Sequence, residues 1–347
     1  MRLDEIDKNF KVETKLDLPD VKFHDPRREP FKIYGVFFED GLYRRIPEGI
    51  AKTVSDGVAT NGRYSTGGRI KFKTTSKYVA ISVKCQRHLM PHCALSGSSG
   101  FDIYAGMNYI GTFIPPFGEF TEYEAKYTFP DRKMREITIN MPLFTTVSEI
   151  YVGLEESAGL RKTRGYKYEK PIVFYGSSIT HGGCASRPGT CYEGFISRQL
   201  DTDYVNLGFS GCAKGEDSIA EYISGLDMSV FVYDYDHNAP TAEHLEKTHE
   251  RMFLKVRAAN PDLPILMLSR PRYYLTEAEK KRLEIVKKTY ENALARGDKN
   301  VYFIPGPSLM KYAKDEGTVD GCHPTDLGFY SMAKVITPTI KKILEGR

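Results

Sequence analysis

The chain contains no tryptophan, only six cysteines, and no apolar run long enough to cross a bilayer. The missing apolar run excludes a helical membrane protein. Six cysteines in 347 residues are too few for a disulfide scaffold, so Cys85, Cys93, Cys184, Cys191, Cys212 and Cys322 are expected as free thiols packed as small apolar groups. The net charge is only +4, and the basic residues are spread along the chain. Neither nucleic acid nor an acidic membrane surface is therefore implied as a partner. The opening stretch "MRLDEIDKNFKVETKLDLPD" lacks the apolar centre of a secretory leader. The expected location is the cytoplasm, unless a leader has been removed. Internal repeats and low-complexity segments are also missing. So is a phosphate-binding glycine loop: "GSSITHGG" matches neither the P-loop nor the dinucleotide fingerprint.

What is present falls into two rhythms. Up to about residue 157, segments such as "RIKFKTT", "YVAISVKC", "FDIYAGMNYIGTFI" and "REITINM" are rich in β-branched and aromatic residues. Several alternate at period two, with "DG", "NG", "GG" and "PP" between them. These features predict an all-β, jelly-roll-like sandwich over residues 1–160, with a polar lead-in of about thirty residues. "CQRHLMPHC" holds Cys85, His88, His92 and Cys93, but their spacing is not that of a structural zinc site, and a loop between strands is expected. "SAGLRKTRGYKYEK" reads as a linker. From residue 161 to 347, the apolar strands "PIVFY", "YVNLGF", "SVFVYDY", "PILMLS" and "VYFIP" alternate with helical stretches. Thr276 and Glu279 predict a capping box for one of these helices. Such alternation implies a parallel sheet covered on both faces, with its site at the carboxyl ends of the strands.

Those ends carry chemistry. They read "GSSITHGG", "GFSG", "YDYDHNAP" and "SRPRYY", and "TVDGCHPTDLGF" follows the last strand. Serine-dependent acyl transfer needs a nucleophile, a base, a carboxylate that orients the base, and donors aimed at the oxyanion. Ser178 on a tight turn can supply the nucleophile, with its neighbour Ser177 as competitor. His323 can serve as base, and Asp320, three residues earlier, can orient it. The Ser178 and Gly211 N–H groups and the Asn238 side chain can face an oxyanion. The α/β-hydrolase elbow G-x-S-x-G is not met, because residue 180 is threonine. Asp234 and Asp236 imitate a glycosidase pair, but their spacing suits local hydrogen bonding better. His244 and His249 are five residues apart on a helix, which is off the spacing of helical metal ligands. No metal or organic cofactor is required.

In this order, "GSSIT", "NLGFSG", "DYDHN" and "DGCH" resemble the four blocks of the SGNH, or GDSL-type, esterases. Ser177 stands where many members have aspartate, and "DHNA" stands where glycine-x-asparagine-aspartate is common. "GFDIY" at Gly100–Tyr104 resembles the G-x-D-L-Y mark of an N-terminal β domain found in one subgroup. The resemblance selects Ser178 as nucleophile and implies a flavodoxin-like sheet. It further implies a carbohydrate esterase that removes short acyl groups, acetyl above all, from an O-acetylated oligosaccharide. The alternatives are a short-chain lipase or thioesterase, or a non-catalytic carbohydrate-binding protein. His181, Arg187, His237 and Arg270 are the expected substrate-contact residues. Oligomerisation is left open.

Overall fold

The computed structural model describes residues 15–346. The first part of the polar N-terminal lead-in, residues 1–14, lies outside the described residues. The chain forms two compact units. Among the described residues, one comprises 15–44, Tyr64–Gly165 and Ser186–Pro188; the other comprises Arg45–Arg63, Tyr166–Ala185 and 189–346.

The first unit is an antiparallel β-sandwich. One sheet runs in the order Val21–His24, Val147–Glu155, Tyr78–Cys85, Glu122–Thr128. The other runs Leu160–Arg161, Arg69–Thr74, Arg135–Asn140, Phe101–Ala105, Asn108–Phe113, and Lys32–Tyr34 also pairs with Arg69–Thr74. Alternation along the strands sends Val79, Ile81, Val83 and Cys85 from one sheet into the core. They meet Ile70, Phe72, Phe101, Ile103, Ile137 and Ile139 from the other. Cys85 is therefore buried in the sandwich, and His88 packs against Tyr64 and Phe144. That takes both away from a shared zinc set with His92 and Cys93. The same alternation explains "GFDIY". Phe101 and Ile103 fill the core, while Asp102 and Tyr104 share the opposite face. There Asp102, fully buried, accepts from Asn140 Nδ2 at 2.6 Å and from Arg187 Nη1 at 3.0 Å.

The second unit is built on a five-stranded parallel sheet. Its spatial order is Thr202–Gly208, Tyr168–Gly176, Val230–Asp234, Ile265–Leu268, Val301–Ile304. In chain order this is 2-1-3-4-5, the flavodoxin-like arrangement. Val173, Tyr175, Leu207, Phe231, Tyr233, Ile265 and Met267 supply much of its core. Helices Tyr192–Leu200 and Asp326–Leu344 pack on each other, as do Asp217–Ser224, Ala242–Ala259 and Glu277–Ala295 in succession. The capping box is present: Thr276 Oγ1 accepts from Glu279 N, and Glu279 returns a carboxylate to Thr276 N.

One segment from the strand-rich half belongs to this second unit. Helix Glu48–Val54 packs on Asp217–Ser224 and on the short helix Asp56–Asn61 that follows it. The sequence pattern marks "DG" at residues 56–57 as a turn between strands. In the structure Ser55 caps a helix there, its hydroxyl accepting from Val58 N at 3.2 Å. At Asp40–Gly41 the same dipeptide does turn a hairpin, with φ of 49° and 76°. All six cysteines are free thiols.

Candidate active site

Three neighbouring strands of the parallel sheet end in register. Gly176 pairs with Gly208 on one side and with Asp234 on the other. The segments beyond them, residues 177–183, 209–212 and 235–239, therefore gather at the carboxyl edge. The first is a tight turn in which His181 N bonds Ser177 O at 2.9 Å and Gly183 N bonds Ser178 O at 2.7 Å. Gly208 lets the second strand approach this turn: a Cβ there would lie 2.2 Å from His181 N. Ser177 is fully buried and its hydroxyl caps Ile179 N at 3.0 Å, whereas Ser178 is half-buried. Ser177 is thus occupied within the turn and Ser178 is presented.

Ser178 Oγ lies 2.9 Å from His323 Nε2. Asp320 Oδ2 lies 2.7 Å from His323 Nδ1. A carboxylate facing Nδ1 assigns the proton there, so Nε2 accepts from the serine hydroxyl. Burial alone would raise the Asp320 carboxyl. The backbone N–H and imidazole of His323 and the N–H of Cys322 outweigh it and hold the group down to about 2.

Gly211 follows the second strand with φ of +69° and open space where a side chain would be. Asn238 Nδ2 donates to Phe209 O at 3.3 Å, which ties it to the turn that carries Gly211. The loop of Asn238 is itself braced. Asp236 Oδ1 accepts from His237 N at 2.9 Å and His237 Nδ1 at 3.0 Å, and Oδ2 accepts from Arg270 N at 3.0 Å. Arg282 donates to the carbonyls of Asp236 and Ala239. Asp236 serves local hydrogen bonding, as its spacing from Asp234 suggests, and not as half of a glycosidase pair.

Comparison with known proteins gives the family. The GDSL-like lipase/acylhydrolase family model matches residues 169–341, and the model for the N-terminus of SGNH-type esterases matches residues 21–160. The chain belongs to the GDSL-like, SGNH-type esterases. As such it is a carboxylic ester hydrolase. Among solved structures, a GDSL-like lipase from Bacteroides ovatus is 27% identical with a TM-score of 0.84, covering 94% of this chain and 98% of its own. The salicylyl-acyltransferase SsfX3 from a tetracycline biosynthetic pathway is 17% identical with a TM-score of 0.78, over 94% and 98%. The acetyl xylan esterase Est2A from Butyrivibrio proteoclasticus is 12% identical with a TM-score of 0.62, over 94% and 99%. The last two show the fold alone. No curated protein matches the chain.

The four residues expected to touch substrate in this esterase fare differently. His181 is fully buried, with Nδ1 3.1 Å from Ser210 Oγ and Nε2 3.5 Å from Arg45 Nη2. It has no surface for a substrate, so its expected substrate contact is corrected to a place inside the scaffold. Arg187 is half-buried and held by residues of its own unit. Its guanidinium bonds Asp102 and Tyr104 and lies 3.8 Å over the Tyr109 ring. Arg270 gives Nη1 to Glu279 at 2.8 Å. His237 keeps Nε2 buried with no hydrogen-bond partner, while its Nδ1 faces Asp236.

The sequence reading also missed residues that shape the esterase site. Asn206, a polar residue inside the apolar strand "YVNLGF", gives Nδ2 to Thr180 O at 2.6 Å and takes Gly208 N on Oδ1 at 2.9 Å. Its polarity in a buried strand was the available signal. Arg45 and Arg282 had none, because each acts through a distant stretch of chain. Behind the Ser178 turn, Asp234 is buried and accepts from Thr180 Oγ1 at 2.8 Å. Burial pushes its carboxyl up to about 7. Glu193 nearby in the same core is fully buried and is also raised, by burial above all.

Proposed function

We propose that this esterase removes short acyl groups, acetyl first, from hydroxyls of an oligosaccharide, through an acyl-enzyme on Ser178. The observation that carries the reading is the continuous chain Ser178 Oγ–His323 Nε2, His323 Nδ1–Asp320 Oδ2, at 2.9 and 2.7 Å. In the first half-reaction Ser178 Oγ attacks the ester carbonyl and its proton passes to Nε2. The oxyanion draws on the Ser178 and Gly211 N–H groups and on Asn238 Nδ2. Collapse expels the sugar alkoxide, which takes the proton from Nε2. Water then repeats the sequence on the acyl-enzyme: its proton goes to Nε2, and Ser178 leaves with that proton restored. Asp320 keeps the imidazole in the required tautomer throughout and stabilises its charged form.

The sugar assignment is supported by fold likeness to Est2A, an acetyl xylan esterase. It is also supported by likeness to a family two carbohydrate esterase from Clostridium thermocellum, solved with cellohexaose.

The test is acetate release from a panel of O-acetylated oligosaccharides, with p-nitrophenyl acetate and a long-chain ester alongside, for the parent enzyme and Ser178→Ala. Release from sugars that is abolished in the variant is the expected result. Turnover of synthetic or long-chain esters without sugars would keep the serine chemistry and move the substrate to a short-chain lipase or thioesterase class.

A further inference from the structure

Arg45 lies far from the catalytic blocks in sequence, yet it is 2% exposed inside the second unit. It enters with the helical segment Arg45–Arg63. Its Nη1 donates to Gly208 O at 2.7 Å, and to Asn206 O and Asn206 Oδ1 at 3.1 Å each. Its Nη2 donates to Asn61 O at 2.6 Å and lies 3.5 Å from His181 Nε2. The guanidinium also sits over the Phe209 ring, 5.2 Å from its centroid.

A guanidinium has donors and no acceptor. The His181 nitrogen that faces it is therefore the lone-pair nitrogen. The proton lies on Nδ1, which faces Ser210 Oγ at 3.1 Å and donates to it. The connection thus runs in one direction, from Arg45 to His181 to Ser210. Ser210 is the residue before Gly211. His181 is part of the Ser178 turn, and its N–H closes that turn on Ser177 O. One buried cation consequently touches both turns: the Gly208 carbonyl and Phe209 ring directly, and the Ser210 hydroxyl through a histidine of the other turn.

We infer that Arg45 is a positioning residue for the esterase: with His181 it sets the Gly208–Gly211 turn, and so the Gly211 N–H, against Ser178. The inference rests on the proposed oxyanion role of Gly211. It also makes the Arg45–Arg63 segment part of the hydrolase machinery.

The experiment compares the parent enzyme with Arg45→Met, Arg45→Lys and Ser210→Ala on p-nitrophenyl acetate. For each it records kcat, KM, thermal midpoint and the inhibition constant of a phenylboronic acid, whose tetrahedral adduct places an oxygen in the oxyanion site. Ser210 is only half-buried and its alanine variant is expected to fold. In Ser210→Ala, kcat is expected to fall about tenfold with KM unchanged, and boronate binding to weaken by the same factor. Arg45→Met follows that pattern more strongly, and Arg45→Lys, which keeps a donor, recovers part of the loss. Folded variants whose kcat and boronate affinity match the parent enzyme would overturn the inference. If Arg45→Met does not fold, Ser210→Ala decides alone. Failure of the proposed function shows itself separately, as a parent enzyme inert on every ester and unlabelled by a fluorophosphonate probe.

Discussion

Asp320 holds His323 at two points: Oδ2 takes the imidazole Nδ1–H at 2.7 Å, and Oδ1 takes the backbone N–H at 2.8 Å. Oδ1 also accepts from Cys322 N at 2.9 Å. The carboxylate therefore shapes the loop as well as the tautomer.

Two variants separate these roles. Asp320→Asn keeps the size and one acceptor but presents an amide to Nδ1. Its kcat on p-nitrophenyl acetate is expected to fall roughly 10³- to 10⁴-fold. Asp320→Ala also leaves the Cys322 and His323 N–H groups without their acceptor, so its thermal midpoint drops further than that of Asp320→Asn. The folded carboxyl is depressed to about 2, so its contribution to stability is complete above the ordinary carboxylate range and is lost as pH falls through about 2. An Asp320→Asn enzyme with parent kcat would remove Asp320 from the mechanism.

Arg187 tests the meaning of "GFDIY". Its partner Asp102 has a fully buried side chain, and removing the guanidinium strands that charge. Arg187→Met is expected to lose about 3 kcal/mol of stability, read by urea unfolding of the whole chain. In the folded enzyme KM should stay at the parent value. A raised KM with unchanged stability would instead place Arg187 in substrate contact.

The blocks that carry chemistry were legible because the chemistry sits in local patterns at strand ends. Ser178, Asp320 and His323 come together as their motifs suggest; the parallel sheet follows from strand–helix alternation, and its 2-1-3-4-5 order is the one the family resemblance implies. The supports were not legible. Arg45 reaches Gly208 across a sequence separation of 163, which no periodicity encodes. His181 was expected at the pocket because no carboxylate lies near it in sequence. Burial came from Gly208, whose missing side chain lets the second strand close on the turn. The partner of Arg187 was not legible for a similar reason: its acid is 85 residues away in sequence, on a strand whose other face fills the sandwich core.

Asp234 leads to a pH prediction. The unfolded carboxyl ionises near its ordinary value of 3.8, and burial holds the folded one up at about 7. Between these values the folded state carries the extra proton, so this residue costs stability progressively as pH rises from about 4 to 7. Asp234→Asn keeps an acceptor for Thr180 and carries no charge to bury. The variant's thermal midpoint relative to the parent should rise from pH 5 to pH 8. His249, lowered by burial to about 4, acts in the opposite sense as pH falls, but it is common to both proteins and cancels in the difference. A difference that does not change with pH would mean that Asp234 stays ionised behind the turn.

Gly208 gives the sharpest test of how the sheet edge holds the Ser178 turn. A β-carbon at this position would lie 2.2 Å from His181 N and 2.5 Å from the carbonyl carbon of Thr180, both backbone atoms that cannot swing aside. Gly208→Ala must therefore push the turn away from the second strand. That strains the hydrogen bonds of Asn206 to Thr180 O and of Arg45 to Gly208 O. A loss of about 1–3 kcal/mol is expected from the overpacking alone. Because the displaced turn carries Ser178, kcat should fall as well, even well below the melting range. Gly225→Ala serves as the control. That glycine is exposed at a helix end, has an ordinary φ of −89°, and meets its nearest atom at 3.6 Å. It should keep both stability and kcat. If Gly208→Ala melted with the parent and turned over ester at the parent rate, the close approach of strand and turn would not be what presents the nucleophile.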